Sequence, residues 1–165
     1  MTFGETVLVH AAAGGVGSLA VQIAVARGAR VIGTASERNH EFLRSLGADP
    51  VTYGDGLAAR VRELAPEGID AAVDFVGGGV VDVSQELLKD RGRVASIADG
   101  EVKAKGGHMV WVRPDTADLT ALGTLADAGK LTVPVASAFP LSEAADAFRE
   151  SMTGRTRGKI VLDVS

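Results

Sequence analysis

The stretch Val7-Leu8-Val9-His10-Ala11-Ala12-Ala13-Gly14-Gly15-Val16-Gly17 decides how the rest of the chain is read. An apolar run, Thr6 to Val9, enters a turn of small residues, and the turn opens into an apolar-faced segment from Val16 to Arg27. The order is strand, tight turn, helix. A glycine-rich turn at a helix start brings backbone N–H groups close to a ligand and adds the positive end of the helix dipole. A pyrophosphate suits that cradle, so the turn implies a dinucleotide site. The full fingerprint is Gly-x-Gly-x-x-Gly, whereas this chain has Ala12-x-Gly14-x-x-Gly17. Such a trio also forms plain strand-to-helix turns that hold nothing. The strand before it and the helix after it favour the site.

Working outward, strand and helix signals alternate. The pattern predicts strands at Thr6–His10, Arg30–Thr34, Pro50–Tyr53, Ala71–Phe75, Arg93–Ile97 and Met109–Val112. Between and after them it predicts helices at Gly15–Arg27, Glu37–Leu46, Gly56–Ala65, Val80–Lys89 and Asp115–Ala128, several closed by glycine (Gly28, Gly47, Gly129). Strands that are apolar throughout and alternate with helices imply an α/β fold, a doubly wound parallel sheet covered on both faces. Right-handed crossovers then place the ligand crevice at the carboxyl ends of the strands, at the switch point. Residues 131–165 break the rhythm with a strand (Thr132–Ser137), a helix (Ser142–Met152) and a strand (Lys159–Val164). The expected division is a dinucleotide-binding domain over 1–130 and a C-terminal strand-helix-strand segment over 131–165.

Composition narrows the function classes. The 165 residues are 46% hydrophobic, enough for one domain with a sizeable core. Aromatics are only 4%, so Ala, Val, Leu and Ile must build that core. A net charge of −4 argues against a nucleic-acid or membrane-surface binder. The basic cluster Arg155, Arg157 and Lys159 reads as a solvated turn. There are no cysteines, which excludes disulfides and thiolate zinc, and His10, His40 and His108 lack metal-ligand spacing. No signal peptide or membrane-spanning run is evident, and the expected location is cytoplasmic.

The end of the second strand bears on which dinucleotide is bound. NAD sites usually carry Asp or Glu there to hold the ribose 2′-hydroxyl. Here the strand runs into Ala35 and Ser36, and Glu37 falls where an acid favours the first turn of the next helix. Ser36, Arg38 and Asn39 supply hydroxyl, guanidinium and amide donors suited to a 2′-phosphate, which favours NADP(H) over NAD(H).

Taken in order, Val9–Gly17, Gly33-Thr34-Ala35-Ser36, Leu46-Gly47-Ala48-Asp49, Asp74-Phe75-Val76-Gly77-Gly78 and Gly158-Lys159-Ile160-Val161-Leu162 resemble the medium-chain dehydrogenase/reductases, in their zinc-independent quinone oxidoreductase branch. The resemblance implies a Rossmann-type domain. Gly14, Gly15, Val16 and Gly17 would hold the pyrophosphate. Ser36, Arg38 and Asn39 would face the 2′-phosphate, and Tyr53 the adenosine ribose phosphate. Val76, Gly77 and Ile97 would line the path to the nicotinamide. The implied chemistry is hydride transfer from NADPH to a small-molecule quinone or an activated alkene or carbonyl, without a metal. It also implies a homodimer through the Met109–Val112 edge, and that residues 131–165 pack on an N-terminal catalytic domain absent from this chain.

No acid, base or nucleophile constellation marks a catalytic residue. Tyr53 is followed four positions later by Leu57, not by the lysine of the short-chain dehydrogenases. A dinucleotide-binding module without turnover is therefore the competing reading. A scaffold that binds nothing would require the Gly14–Gly17 turn to be occluded.

Overall fold

The computed structural model describes residues 3–165. Its main sheet contains β1 (Thr6–Val9), β2 (Arg30–Ala35), β3 (Ala48–Thr52), β4 (Ile69–Asp74), β5 (Leu88–Ser96) and β6 (His108–Met109). The spatial order is β3-β2-β1-β4-β5-β6, with every neighbouring pair parallel. Each parallel step needs a crossover. Helices α1 (Gly17–Ala26), α2 (His40–Ser45, entered through a 3₁₀ turn at Glu37–Asn39), α3 (Leu57–Leu64) and α4 (Val80–Gln85) supply four of them. The strand order reverses between β1 and β4, which is the doubly wound arrangement expected from the sequence.

Period-two alternation sorts the core into two layers. Val7 and Val9 of β1 and Val31 of β2 pack with Val21 and Ala24 of α1 and Leu43 of α2. Leu8 and Ile32, pointing to the other face, pack with Leu57 and Val61 of α3 and Val81 of α4. Small residues let the layers close. A Cβ on Gly33 would lie 2.9 Å from the Ala12 Cβ and 3.0 Å from a Leu43 methyl, so β2 has glycine where the turn after β1 and α2 both press on it.

Several boundaries differ from the sequence reading. The helix predicted at Val80–Lys89 ends at Gln85, because Leu88 pairs with Ile69 and opens β5. The pairing then shifts register and resumes at Ala71 with Arg93. The strand predicted at Met109–Val112 is only His108–Met109; one further ladder bond, Val110 N to Ser96 O at 2.9 Å, ends it. Trp111 is 82% exposed there, an apolar residue with no partner strand. The first helix begins at Gly17 rather than Gly15, and β3 at Ala48 rather than Pro50.

Beyond α5 (Thr116–Asp127), whose N-cap Asp115 accepts from Ala117 N and Asp118 N, the chain forms a second, two-stranded parallel sheet. It pairs β7 (Val135–Pro140) with β8 (Lys159–Asp163), joined by α6 (Ala144–Met152). The predicted strand at Thr132–Ser137 starts three residues late: Thr132 is bound to Gln22, and the pairing with β8 begins only at Val135, opposite Lys159, whose N–H donates to Pro134 O.

Candidate functional site

The chain leaves β1 through His10, whose N–H still bonds to Val73 O at 2.9 Å, and then turns sharply. Thr34 anchors the turn: its hydroxyl accepts from Ala11 N and its carbonyl from Ala12 N. Ala11 has φ +53°, the one positive φ outside glycine among the described residues. A Cβ on Gly17 would collide with Ala11 O and Ala12 Cα, so the turn requires glycine where the helix starts. Helix α1 has no acidic residue in its first turn and no side-chain cap. Among the described residues, the N–H groups of Gly15, Val16 and Gly17 have no hydrogen-bond partner. Unpaired donors at a helix start attract an anion.

The turn opens onto a cleft of about 830 Å³ at the carboxyl ends of β1, β2, β3 and β4. That volume lies within the range typical of cofactor sites. Of the residues singled out in the sequence, Gly14, Ser36, Arg38, Asn39, Tyr53, Val76 and Gly77 line it. Gly15, Val16, Gly17 and Ile97 do not. Gly15 faces the C-terminal segment, where its Cβ would lie 3.0 Å from Gly158 O. Glu37 is exposed and stays outside the cleft, as an acid in a first helical turn would.

The end of the cleft past β2 and β3 is shaped by main chain and arginine. Asn39 Nδ2 donates to Ser36 Oγ at 3.4 Å. Arg60 of α3 donates to the carbonyls of Thr52, Tyr53 and Gly54, which fixes the loop carrying Tyr53. The Tyr53 side chain is 58% exposed. At the other end, the wholly buried Asp74 carboxylate organises two loops. One oxygen accepts from Val76 N and Gly77 N, each at 2.8 Å, and the other from Ser96 Oγ at 2.7 Å. Ser96 Oγ in turn accepts from Ala98 N and Asp99 N. The Gly77 N–H is thus already used, and the pair offers a ligand chiefly the 58%-exposed Val76 side chain.

Behind the turn, His10 is fully buried. Ser84 Oγ donates to Val80 O, so it accepts from His10 Nε2 at 2.8 Å, and Nδ1 is left as a lone pair without a partner. Burial lowers the His10 pKa to about 4, against the smaller opposing pull of Asp74. It is neutral at physiological pH.

Sequence reasoning missed the third wall. Gly154, Arg155 and Thr156 line the cleft, and Arg38 donates to Arg155 O at 3.3 Å. Arg157 sits 5.0 Å over the Phe42 ring. Arg155 and Arg157 stay exposed, as a solvated turn leaves them, but the turn borders the site. Only the concentration of cations near the chain end hinted at it.

Strand order, crevice and unpaired turn donors together define a Rossmann-type domain of the doubly wound class. Comparison with known proteins places it further. A family model described as zinc-binding dehydrogenase matches residues 46–162. A chloroplast envelope quinone oxidoreductase homolog of Arabidopsis thaliana is 32% identical over 170 residues, covering 95% of this chain and 52% of that protein. The solved quinone oxidoreductase of Coxiella burnetii is 38% identical with a TM-score of 0.85, covering 99% of this chain and 54% of that one. Mycobacterial Rv1454c, solved in complex with NADPH, is 30% identical with a TM-score of 0.81, covering 98% and 57%. The chain belongs to the zinc-binding dehydrogenase family of medium-chain dehydrogenase/reductases and spans about half the length of these relatives.

The family description carries zinc. This chain has no cysteine, and among the described residues no group of three or more His, Cys, Asp or Glu could hold a metal ion. These residues do not fit a zinc site. No helix among the described residues is long and apolar enough to cross a membrane.

Proposed function

We propose that the chain is the NADP(H)-binding part of a zinc-independent oxidoreductase that transfers hydride between NADPH and a quinone or an activated alkene or carbonyl. The observation that carries this reading is the cleft itself. The turn that opens onto it carries unpaired N–H groups at Gly15, Val16 and Gly17, just beyond the residues that line the cleft, where a pyrophosphate would meet them. Ser36, Arg38 and Asn39 stand at the end of β2, with no acid in the place that would select a free 2′-hydroxyl. The relatives' names support the oxidoreductase class and the quinone substrate, and the NADPH complex of one neighbour supports the cofactor.

On this reading the bound dinucleotide supplies the hydride, and the chain supplies position and field. The turn cradles the pyrophosphate, Arg38 pairs with the 2′-phosphate, and Tyr53 lies beside the adenosine ribose. Asp74 holds the Val76–Gly77 backbone at the nicotinamide side, with Ile97 on the loop beyond. No described side chain there is placed as a general acid or base, so substrate activation would come from elsewhere in the protein. Residues 1–130 would form the nucleotide domain and 131–165 a segment that packs on a catalytic domain. The short β6 edge, with Val110, Trp111 and Val112 exposed, would pair across a two-fold axis in a homodimer. The expected compartment is the cytoplasm.

The test is NADPH oxidation followed with a quinone acceptor, beside equilibrium binding read from NADPH fluorescence. Binding with quinone-dependent turnover supports the whole reading. Binding without turnover favours a non-catalytic dinucleotide module, and no binding removes the cofactor assignment.

A further inference from the structure

Besides the Arg38–Arg155 bond and Arg157 over Phe42, residues 131–165 touch the body of the molecule at the two sides of the phosphate turn. On α1, the buried Gln22 amide is bound in both senses to one residue: Nε2 donates to Thr132 O at 2.9 Å, and Oε1 accepts from Thr132 N at 2.8 Å. On the turn, Gly158 N donates to Ala13 O at 3.0 Å. The fit is close. A Cβ on Gly15 would lie 3.0 Å from both Gly158 O and the Lys159 stem, and a Cβ on Gly158 would collide with Pro134 O. Gly15 is thus shaped for the segment as much as for a ligand. Between these contacts the segment presents Gly154–Thr156 to the cleft.

We infer that residues 131–165 act as a latch on the phosphate turn, and that docking of this latch and binding of the dinucleotide are thermodynamically linked. The inference rests on the cofactor reading above and extends it to a wall that none of the recognised motifs assigns. The docking is polar and sparse. In the whole segment only Ala147 and Gly158 are buried, so little apolar surface holds it down. Elements held this way open at lower free energy than a core strand. A ligand that touches both the turn and residues 154–156 binds the docked form preferentially and stabilises it. By reciprocity, anything that loosens the latch weakens the ligand. The Thr156 hydroxyl oxygen is buried without a partner among the described residues, a donor still to be used at this wall.

The latch carries its own reporters, since trypsin cuts after Arg155, Arg157 and Lys159. The experiment uses the full chain, with saturation by NADPH verified by fluorescence, and maps cleavage at these sites by mass spectrometry. NADPH is expected to slow cleavage at Arg157 and Lys159, which do not line the cleft, at least tenfold. Gln22→Met removes both bonds to Thr132 from a position outside the cleft. It is expected to speed the same cleavages and to raise the Kd for NADPH at least threefold. Gly158→Ala, which disturbs the latch but not the six-stranded sheet, is expected to do the same and serves if the first variant does not fold. NADPH bound at saturation with unchanged cleavage, or a folded latch variant with unchanged Kd, overturns the linkage and leaves the cofactor reading intact. Failure of the unmodified chain to bind NADPH removes both.

Discussion

The amino ends of the six-stranded sheet and the cleft at its carboxyl ends treat their arginines differently. At the amino ends of the strands, cations meet carboxylates. Arg93 pairs with Glu5 at 2.8 Å, Lys89 with Asp70 at 3.0 Å, and Arg30 with Asp49 at 2.9 Å. Asp70 also accepts from Thr6 N, and that bond, ahead of Lys89, holds its carboxyl below the ordinary value. At the carboxyl ends, Lys105 is paired with Asp82 and Asp99 beyond β5, at 2.9 and 3.0 Å, but Arg38 and Arg155 line the cleft with no ion pair among the described residues, alongside Asp55 and Glu86. The amino ends close their cations in pairs. The cleft leaves two arginines near the unpaired N–H donors of the turn, where an anionic group can complete them.

The largest effect is expected at the turn. Gly17→Ala puts a Cβ against Ala11 O, where backbone rather than a flexible side chain must give way. The expected cost is about 3 kcal/mol of stability, with loss of measurable NADPH binding; urea unfolding and fluorescence titration check both. A variant of normal stability that still binds would show the turn is not the anion cradle.

Acid probes the buried side of the same turn. The unfolded chain takes up the His10 proton near pH 6.5, and the native one only near pH 4. The contribution is therefore complete above pH 6.5 and is lost as pH falls toward 4. The loss is on the order of 3 kcal/mol, since each pKa unit is worth about 1.4 kcal/mol. His10→Asn should flatten that part of a stability–pH profile, and an unchanged slope would contradict the buried neutral imidazole.

Smaller effects separate the two ends directly. Arg38→Ala is expected to weaken NADPH about tenfold, in line with the roughly 1.5–3 kcal/mol of a hydrogen bond to a charged group, while leaving NADH unchanged. Calorimetry with both nucleotides decides it. Arg93→Ala, at the closed end, removes an exposed pair worth about 0–1 kcal/mol and should leave both nucleotide affinities as they were. Weaker NADPH binding in that variant would mean that the two ends are not independent.

How far the sequence could be read follows from what each feature depends on. The β1–turn–α1 unit, the alternation of strands and helices and the positions of Ser36, Arg38 and Tyr53 rest on local patterns: period-two apolar runs, glycine at a tight turn, donors just past a strand end. Features set by distant partners were not legible. Leu88 looks like a helix residue until Ile69 draws it into β5. Val110, Trp111 and Val112 look like a strand, but the sheet supplies them no partner beyond Ser96. Arg155 looks like a solvated cation, and its place beside Arg38, 117 residues away, comes only from the fold. The Gln22–Thr132 tether, across 110 residues, is of the same kind.

The most direct test of the central claim, that the carboxyl-end cleft is an NADP(H) site, is calorimetric titration of the chain with NADPH and separately with NADH. Tight NADPH binding is expected, with NADH at least tenfold weaker, because on the proposed reading only a 2′-phosphate would meet Ser36, Arg38 and Asn39. Equal affinities for the two nucleotides would contradict it.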